Sequence, residues 1–286
     1  MCVKKPEASP SIDSLPAPRY DASYTRAPID LAIVAIIPAR FGSTRLPGKP
    51  LSEIHGKPMI QHVHERVSRA RSLNRVLVAT DDERIAAAVR RFGGEAVMTS
   101  SAHATGTDRL AEAAERTNAT IVVNVQGDEP MLDPAGIDAA VAPMLLDPSL
   151  DISTLSLPLT DPAEMFATQI VKVVTDERND ALYFSRSPIP HVRLDPPRGE
   201  RASAEAAVAR GLARKHVGLY VYRREALRRF AALPPSSLEL AEGLEQLRAL
   251  QNGMRIHVVP FDGQSGVAVD TPEDLERVRA LLKERA

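Results

Sequence analysis

Ile33-Val34-Ala35-Ile36-Ile37-Pro38-Ala39-Arg40-Phe41-Gly42-Ser43-Thr44-Arg45-Leu46-Pro47-Gly48-Lys49-Pro50 is the stretch on which the reading of this chain turns. Residues 31–37 are an apolar run of the length and type that buries as a parallel strand. The run breaks into a loop holding Pro38, Pro47 and Pro50, Gly42 and Gly48, and the cations Arg40, Arg45 and Lys49. The prolines remove backbone freedom, so the cations are held in place. A stiff, glycine-bearing, cationic loop at the carboxyl end of a buried strand suits nucleotide phosphates, whose charge is offset by backbone N–H groups and fixed cations. Charge alone fits a solvated surface equally well. The loop has neither the Gly-Lys-Ser/Thr of a Walker A sequence nor a Gly-x-Gly-x-x-Gly run, which counts against a P-loop NTPase and a nicotinamide enzyme.

Outward from this loop, strands and helices alternate. Met59, Ile60, Val63, Val67 and Ala70 mark one face of a helix. Residues 75–80 form a second buried strand. Ile85, Ala88, Val89 and Phe92 mark the next helix, stopped by Gly93-Gly94. Residues 96–99 are a short third strand, Leu110, Ala111, Ala113 and Ala114 lie on a helix, and residues 121–125 are the fourth strand. This alternation predicts an α/β fold with a doubly wound, mostly parallel sheet. Ligands of such sheets sit outside the carboxyl ends of the strands, the edge that Arg40, Asp81 and Asp128 occupy.

From residue 152 the texture changes. Four β-prone runs, 152–157, 170–174, 181–184 and 217–222, are interrupted by Pro188, Pro190, Pro196 and Pro197. They predict a smaller mixed, partly antiparallel lobe beside the first sheet, around residues 152–235. Residues 198–214 are charged and alanine-rich, an expected exposed insertion with some helix. Leu240, Leu244, Leu247 and Leu250 place an apolar stripe on one helix from about Ser237. A strand over 255–259 and a final helix from Pro272 to about Lys283 follow. Residues 1–30 hold five prolines among Ser, Ala and Asp without apolar periodicity, and read as a disordered N-terminal extension to a single domain over 31–286.

Composition narrows the function classes. The 286 residues suffice for one large α/β domain. A net charge of -1 gives no nucleic-acid footprint, so a phosphate site must be a local concentration of cations. The single cysteine, Cys2, excludes an internal disulfide framework and fits a reducing compartment. No window approaches ~18 uninterrupted apolar residues, so no membrane span is expected.

Several residues carry candidate chemistry. Asp128 follows a buried strand in Gln126-Gly127-Asp128-Glu129-Pro130, where Gly127 permits an unusual backbone and Pro130 keeps Glu129 extended. A metal-binding or catalytic carboxylate and a turn carboxylate satisfied by N–H groups both fit. Asp270 lies just outside a helix start in which Thr271 is the N-cap, Pro272 the first helical residue and Asp274 the acid of a capping box. It fits either a helix-dipole carboxylate or a metal ligand. The loop over 99–109 is polar, and Gly106 lets backbone approach a ligand. Gln126 offers an amide that could read a cytosine edge. His216 and Tyr220, four apart on a strand, share a face. Glu245 and Gln246 lie off the leucine stripe.

Together, Pro38-Ala39-Arg40, Ser43 to Pro50, Val125 to Pro130, His216 to Tyr220, Leu244 to Arg248 and Val269 to Leu275 resemble the signatures of cytidylyltransferases that activate acidic sugars. The resemblance spans roughly residue 33 to the end and implies a nucleotide-diphospho-sugar transferase-like fold. It implies CTP and an acidic sugar, 3-deoxy-D-manno-octulosonate (Kdo), as substrates, with the product serving lipopolysaccharide synthesis. Another acidic sugar, such as 8-amino-Kdo, a sialic or a pseudaminic acid, and a non-catalytic nucleotide-binding module are the alternatives. It implies Mg²⁺ held by Asp128 and Asp270, and CTP bound by Ala39, Arg40, Ser43, Arg45, Lys49, Thr105, Gly106 and Gln126. Arg40 and Lys49 join the two aspartates as catalytic residues. The sugar falls to Arg186, whose guanidinium suits a carboxylate, and to His216, Tyr220, Glu245 and Gln246. A cytoplasmic homodimer that binds neither nucleic acid nor membrane is implied as well. The family pattern has Gly where this chain has Ala268, and often an acid and Gln at Ala102 and Ala104, so backbone contacts near Thr105 and Gly106 are the expectation there.

Overall fold

The computed structural model describes residues 31–42, 45–103, 105–264 and 266–283. The expected N-terminal extension over 1–30 lies outside the described residues. In chain order the elements are β1 (Ile33–Ala39), β2 (Glu53–Ile54), β3 (Lys57–Pro58), α1 (Met59–Val67), β4 (Arg75–Thr80), α2 (Glu83–Arg91), β5 (Glu95–Met98), α3 (Gly106–Glu115), β6 (Ile121–Asn124) and α4 (Pro134–Leu146). They continue as β7 (Ile152–Pro158), β8 (Lys172–Thr175), β9 (Ala181–Ser185), α5 (Gly199–Ala209), β10 (Arg214–Arg223), α6 (Arg224–Ala231), α7 (Ser237–Glu242), α8 (Gln246–Gln251), β11 (Ile256–Pro260) and α9 (Pro272–Lys283).

The main sheet runs β11-β7-β10-β6-β1-β4-β5. β6, β1, β4 and β5 are parallel, as are β7 and β11, while β10 is antiparallel to both of its neighbours. One face packs Ile60, Val63, Ile85, Val89, Ile137 and Val141, from α1, α2 and α4, against the sheet. The other packs Leu110, Ala113, Leu227, Phe230 and Leu247, from α3, α6 and α8. The doubly wound, mostly parallel α/β arrangement is present, and burial on both faces explains why its strands read as continuous apolar runs. No helix among the described residues is long and apolar enough to cross a membrane.

Three differences from expectation have physical causes. The antiparallel pairing after residue 152 is there, but β7 and β10 enlarge the main sheet and the β8–β9 hairpin joins it through β10, leaving α5 beside it. Such pairing is a long-range choice that local propensity does not encode. Second, residues 198–214 are not merely an exposed insertion: α5 buries Ser203, Ala204 and Ala207. Third, the helix expected from Ser237 is two, α7 and α8, separated at Gly243 with φ 62°. The left-handed C-cap ends α7, leaves Leu240 73% exposed, and turns the start of α8 toward the sheet edge.

Candidate active site

Asp128 follows β6 and Asp270 precedes α9, and backbone joins them: Val269 N donates to Asp128 O at 2.9 Å. Lys49 Nζ donates to Asp128 Oδ2 at 2.6 Å and to Asp270 Oδ1 at 3.2 Å. Arg45 Nη2 lies 3.1 Å from the same Asp270 oxygen. Two carboxylates remote in sequence thus share one cluster with two cations of the proline-rich loop.

Local structure explains how each is aimed. Gly48, at φ 68°, opens the short 3₁₀ turn Lys49–Leu51, and its N–H donates to Phe41 O at 3.0 Å. The Phe41 ring is flanked by Gly48 and by the Arg84 guanidinium, 3.4 Å above its centroid. Arg84 is itself held by Asp82, the N-cap of α2. Gly127 serves close approach rather than unusual dihedrals: a Cβ there would stand 2.8 Å from Pro38 O. Asp274 accepts from the N–H groups of Asp270 and Thr271, and its own N–H donates to Thr271 Oγ1, completing the expected capping box. Arg40 stands exposed at the end of β1 and Ala39 is buried beside it; neither joins the ion-pair cluster. Ser43 lies outside the described residues. Asp81 pairs with the buried Arg109 at 3.0 Å.

Next to this cluster is a cavity of about 140 Å³, lined among others by Gly106, Thr107, Gln126, Tyr220, Glu245 and Gln246. Thr105 caps α3 in a box with Asp108, which puts Gly106 at the cavity wall. Gln126 Nε2 donates to Gly218 O at 3.3 Å. Glu245, which the break at Gly243 turns inward, accepts from Thr107 Oγ1 and from Arg248 Nη2, each at 2.7 Å. Burial raises its carboxyl above the usual range. Gln246 is buried beside it.

His216 and Tyr220 do share a face, with ring centroids 5.3 Å apart. Residues four apart on an unbroken strand are separated by about 13 Å. A register shift between Val217 and Tyr220 shortens that distance. His216 Nε2 and Thr154 Oγ1 are 2.9 Å apart, and the ring meets Phe184 edge-on. Burial pushes the imidazole down to about 3, so it is neutral at pH 7. Arg186 is not brought into the cavity: its guanidinium donates to the carbonyls of Glu242, Thr168 and Gly243. There it ties down the α7–α8 break.

Sequence reasoning missed Thr107, Arg248, Asn124 and Glu129. Burial pushes the Glu129 carboxyl up to about 7, with the Asp128 charge adding to the shift. Asn124 had a visible signal, a lone amide inside the apolar run over 121–125. Arg248 had one as well, its i,i+3 spacing from Glu245. Thr107 had none, because its partner Glu245 is far away in the chain.

Asp128 and Asp270 fit a hard divalent cation. They are carboxylate oxygens, partly solvated, and already within ion-pair distance of one ammonium. Among the described residues no cluster of three or more His, Cys, Asp or Glu could hold a metal.

The chain is similar to several known proteins. A family model described as cytidylyltransferase matches residues 34–256. A 3-deoxy-manno-octulosonate cytidylyltransferase of Geobacter sulfurreducens is 56% identical over 251 residues, covering 88% of this chain and 99% of its own. Its counterpart in Geobacter metallireducens is 55% identical over 249 residues, covering 87% and 96%. A solved structure of CMP:2-keto-3-deoxy-manno-octonic acid synthetase complexed with CTP superposes with a TM-score of 0.80 at 45% identity, covering 89% of this chain and 100% of that one.

Proposed function

The chain belongs to the cytidylyltransferase family, and from that premise we propose that it transfers CMP from CTP to Kdo, releasing pyrophosphate, for lipopolysaccharide synthesis. The observation that carries the reading is the meeting of Arg45, Lys49, Asp128 and Asp270 at the carboxyl ends of β1 and β6, beside a polar cavity. The anomeric hydroxyl of the sugar attacks the α-phosphorus in line. A new P–O bond forms, the bond to the β-phosphate oxygen breaks, and the hydroxyl proton passes to solvent.

Most of the catalysis in this scheme is positioning and charge neutralisation. Arg40, Arg45 and Lys49 hold the triphosphate and stabilise the leaving charge, with Ala39, Ser43, Thr105, Gly106 and Gln126 completing the nucleotide site. Tyr220, Glu245 and Gln246 meet the sugar. Buried and neutral, His216 supports Tyr220 from behind. Arg186 supports the segment carrying Glu245. Asp128 and Asp270 would hold the divalent ion, which we assign as Mg²⁺; when bound it neutralises phosphate charge and acidifies the attacking hydroxyl.

The need for CTP argues for the cytoplasm. A homodimer through the region 152–235 is supported by Leu182, 63% exposed on β9; a one-protomer mass by light scattering would remove it. The deciding experiment is pyrophosphate release from CTP with Mg²⁺ and Kdo, 8-amino-Kdo or N-acetylneuraminate. Kdo-dependent release that stops with chelator and returns with Mg²⁺ is expected. Release with N-acetylneuraminate alone moves the chain to another branch, and release with none leaves a binding module.

A further inference from the structure

Asn124 is out of place where it stands. Alternation along β6 puts it on the face of Val122, in the layer of Tyr222 and Phe230. Its backbone is in register with Ile36 on one side and Tyr220 on the other. It is 5% exposed, and its Oδ1 has no hydrogen-bond partner. A buried amide oxygen left unpaired is destabilising, and folded proteins rarely keep one.

The same residue lines the cavity. Two of the nearby donors are committed elsewhere: Thr107 Oγ1 donates to Glu245 and Gln126 Nε2 to Gly218 O. Among the described residues no lysine or arginine lines the cavity, Lys49 and Arg45 face the aspartates, and Arg248 is tied to Glu245. Glu245 brings a carboxylate to the wall instead. An anionic group is therefore unwelcome there, whereas a hydroxyl both donates and accepts and meets the amide in either orientation.

We propose that Asn124 is a specificity-determining residue whose carboxamide pairs with one hydroxyl of the sugar, at the neutral polyol end rather than the acid end. This rests on the reading of the cavity as the sugar site. The unpaired oxygen is the ligand-free half of a contact that the substrate completes.

The test is steady-state kinetics on the full chain with Kdo and with singly deoxygenated Kdo analogues. Asn124→Leu should raise KM for Kdo by ~30-fold or more, the scale set by leaving one buried hydroxyl without its partner, with KM for CTP nearly unchanged. One analogue should cost the wild type a similar factor and cost Asn124→Leu nothing further. Without ligand, Asn124→Leu should melt no lower than wild type, since it removes an unpaired polar group. Asn124→Ser, which keeps a neutral group able to accept and donate a hydrogen bond, should lose less than Asn124→Leu. An unchanged sugar KM, a CTP KM rising in step, losses that multiply, or equal losses in both variants would overturn the proposal. A wild type inactive on Kdo overturns the activity reading as well; a wild type active on Kdo with Asn124→Leu unimpaired overturns this assignment alone.

Discussion

The phosphate end and the sugar cavity adjoin, yet they are held together differently. At the phosphate end charge meets charge in partial contact with water: Asp270 is 41% and Arg45 64% exposed at the side chain. Such pairs are worth about 0–1 kcal/mol, so they do not by themselves position the groups. Backbone does: the Gly48 turn closed on Phe41, the Gly127 approach to Pro38, and the box at Thr271. In the cavity two buried donors, Thr107 and Arg248, reach the half-buried Glu245, and the side chains set the geometry themselves. A loosely paired, backbone-aimed cluster can exchange partners when nucleotide arrives. A buried polar cavity keeps its partners and selects a ligand that matches them.

The largest expected effect tests the phosphate end. Asp128→Asn should cut turnover by ~10²-fold or more while changing the CTP KM far less, because charge there acts mostly in the transition state. Near-normal turnover at saturating Mg²⁺ would remove Asp128 from the chemistry and break the contrast. Next, Thr107→Val leaves an oxygen of the half-buried Glu245 without its donor, and should raise KM for Kdo by ~10-fold. A CTP KM that rises instead would make Thr107 part of the nucleotide site.

The smallest effects concern acid. His216 stays neutral in the fold down to about 3, against an ordinary value of 6.5. The unfolded chain takes up that proton first, so stability falls as pH drops from about 6.5 toward 3. Glu115, held down to about 2 by Arg228 and Arg224, contributes stability above its ordinary 4.5 that is lost as pH falls toward 2. That site is far more exposed, so Glu115→Gln should cost less than ~1 kcal/mol at pH 7. Urea midpoints from pH 7 to 3 read both. A midpoint indifferent to acid above pH 4.5 would mean that His216 is not sequestered.

What was legible followed local chemistry. β4 and α9 occupy the residues their patterns indicate, and Thr271 and Asp274 cap as their types suggest. β1 starts two residues later than its apolar run and carries Pro38, which pairs with Ala79 inside the sheet. The meeting of Asp128 and Asp270 was open to inference only through resemblance, because no spacing rule joins them. Gly243 was visible inside the leucine stripe, and a glycine there was a signal to divide the helix. The commitment of the Arg186 guanidinium to three carbonyls was invisible, since it depends on where α7 ends. β10 was recognisable as a strand, but its seat between β6 and β7 was not.

That seat bears on how the chain is made. β6 and β7 are both finished well before residues 214–223 leave the ribosome, yet until then β6 is paired on one edge only, to β1, and β7 on neither. During synthesis the sheet is two fragments with bare hydrogen-bonding edges facing each other, the arrangement most open to wrong pairing. One late antiparallel strand bridges β7 to the parallel part and lays Tyr220 against the cavity in the same movement, and the pocket closes only when Glu245 and Gln246 follow it.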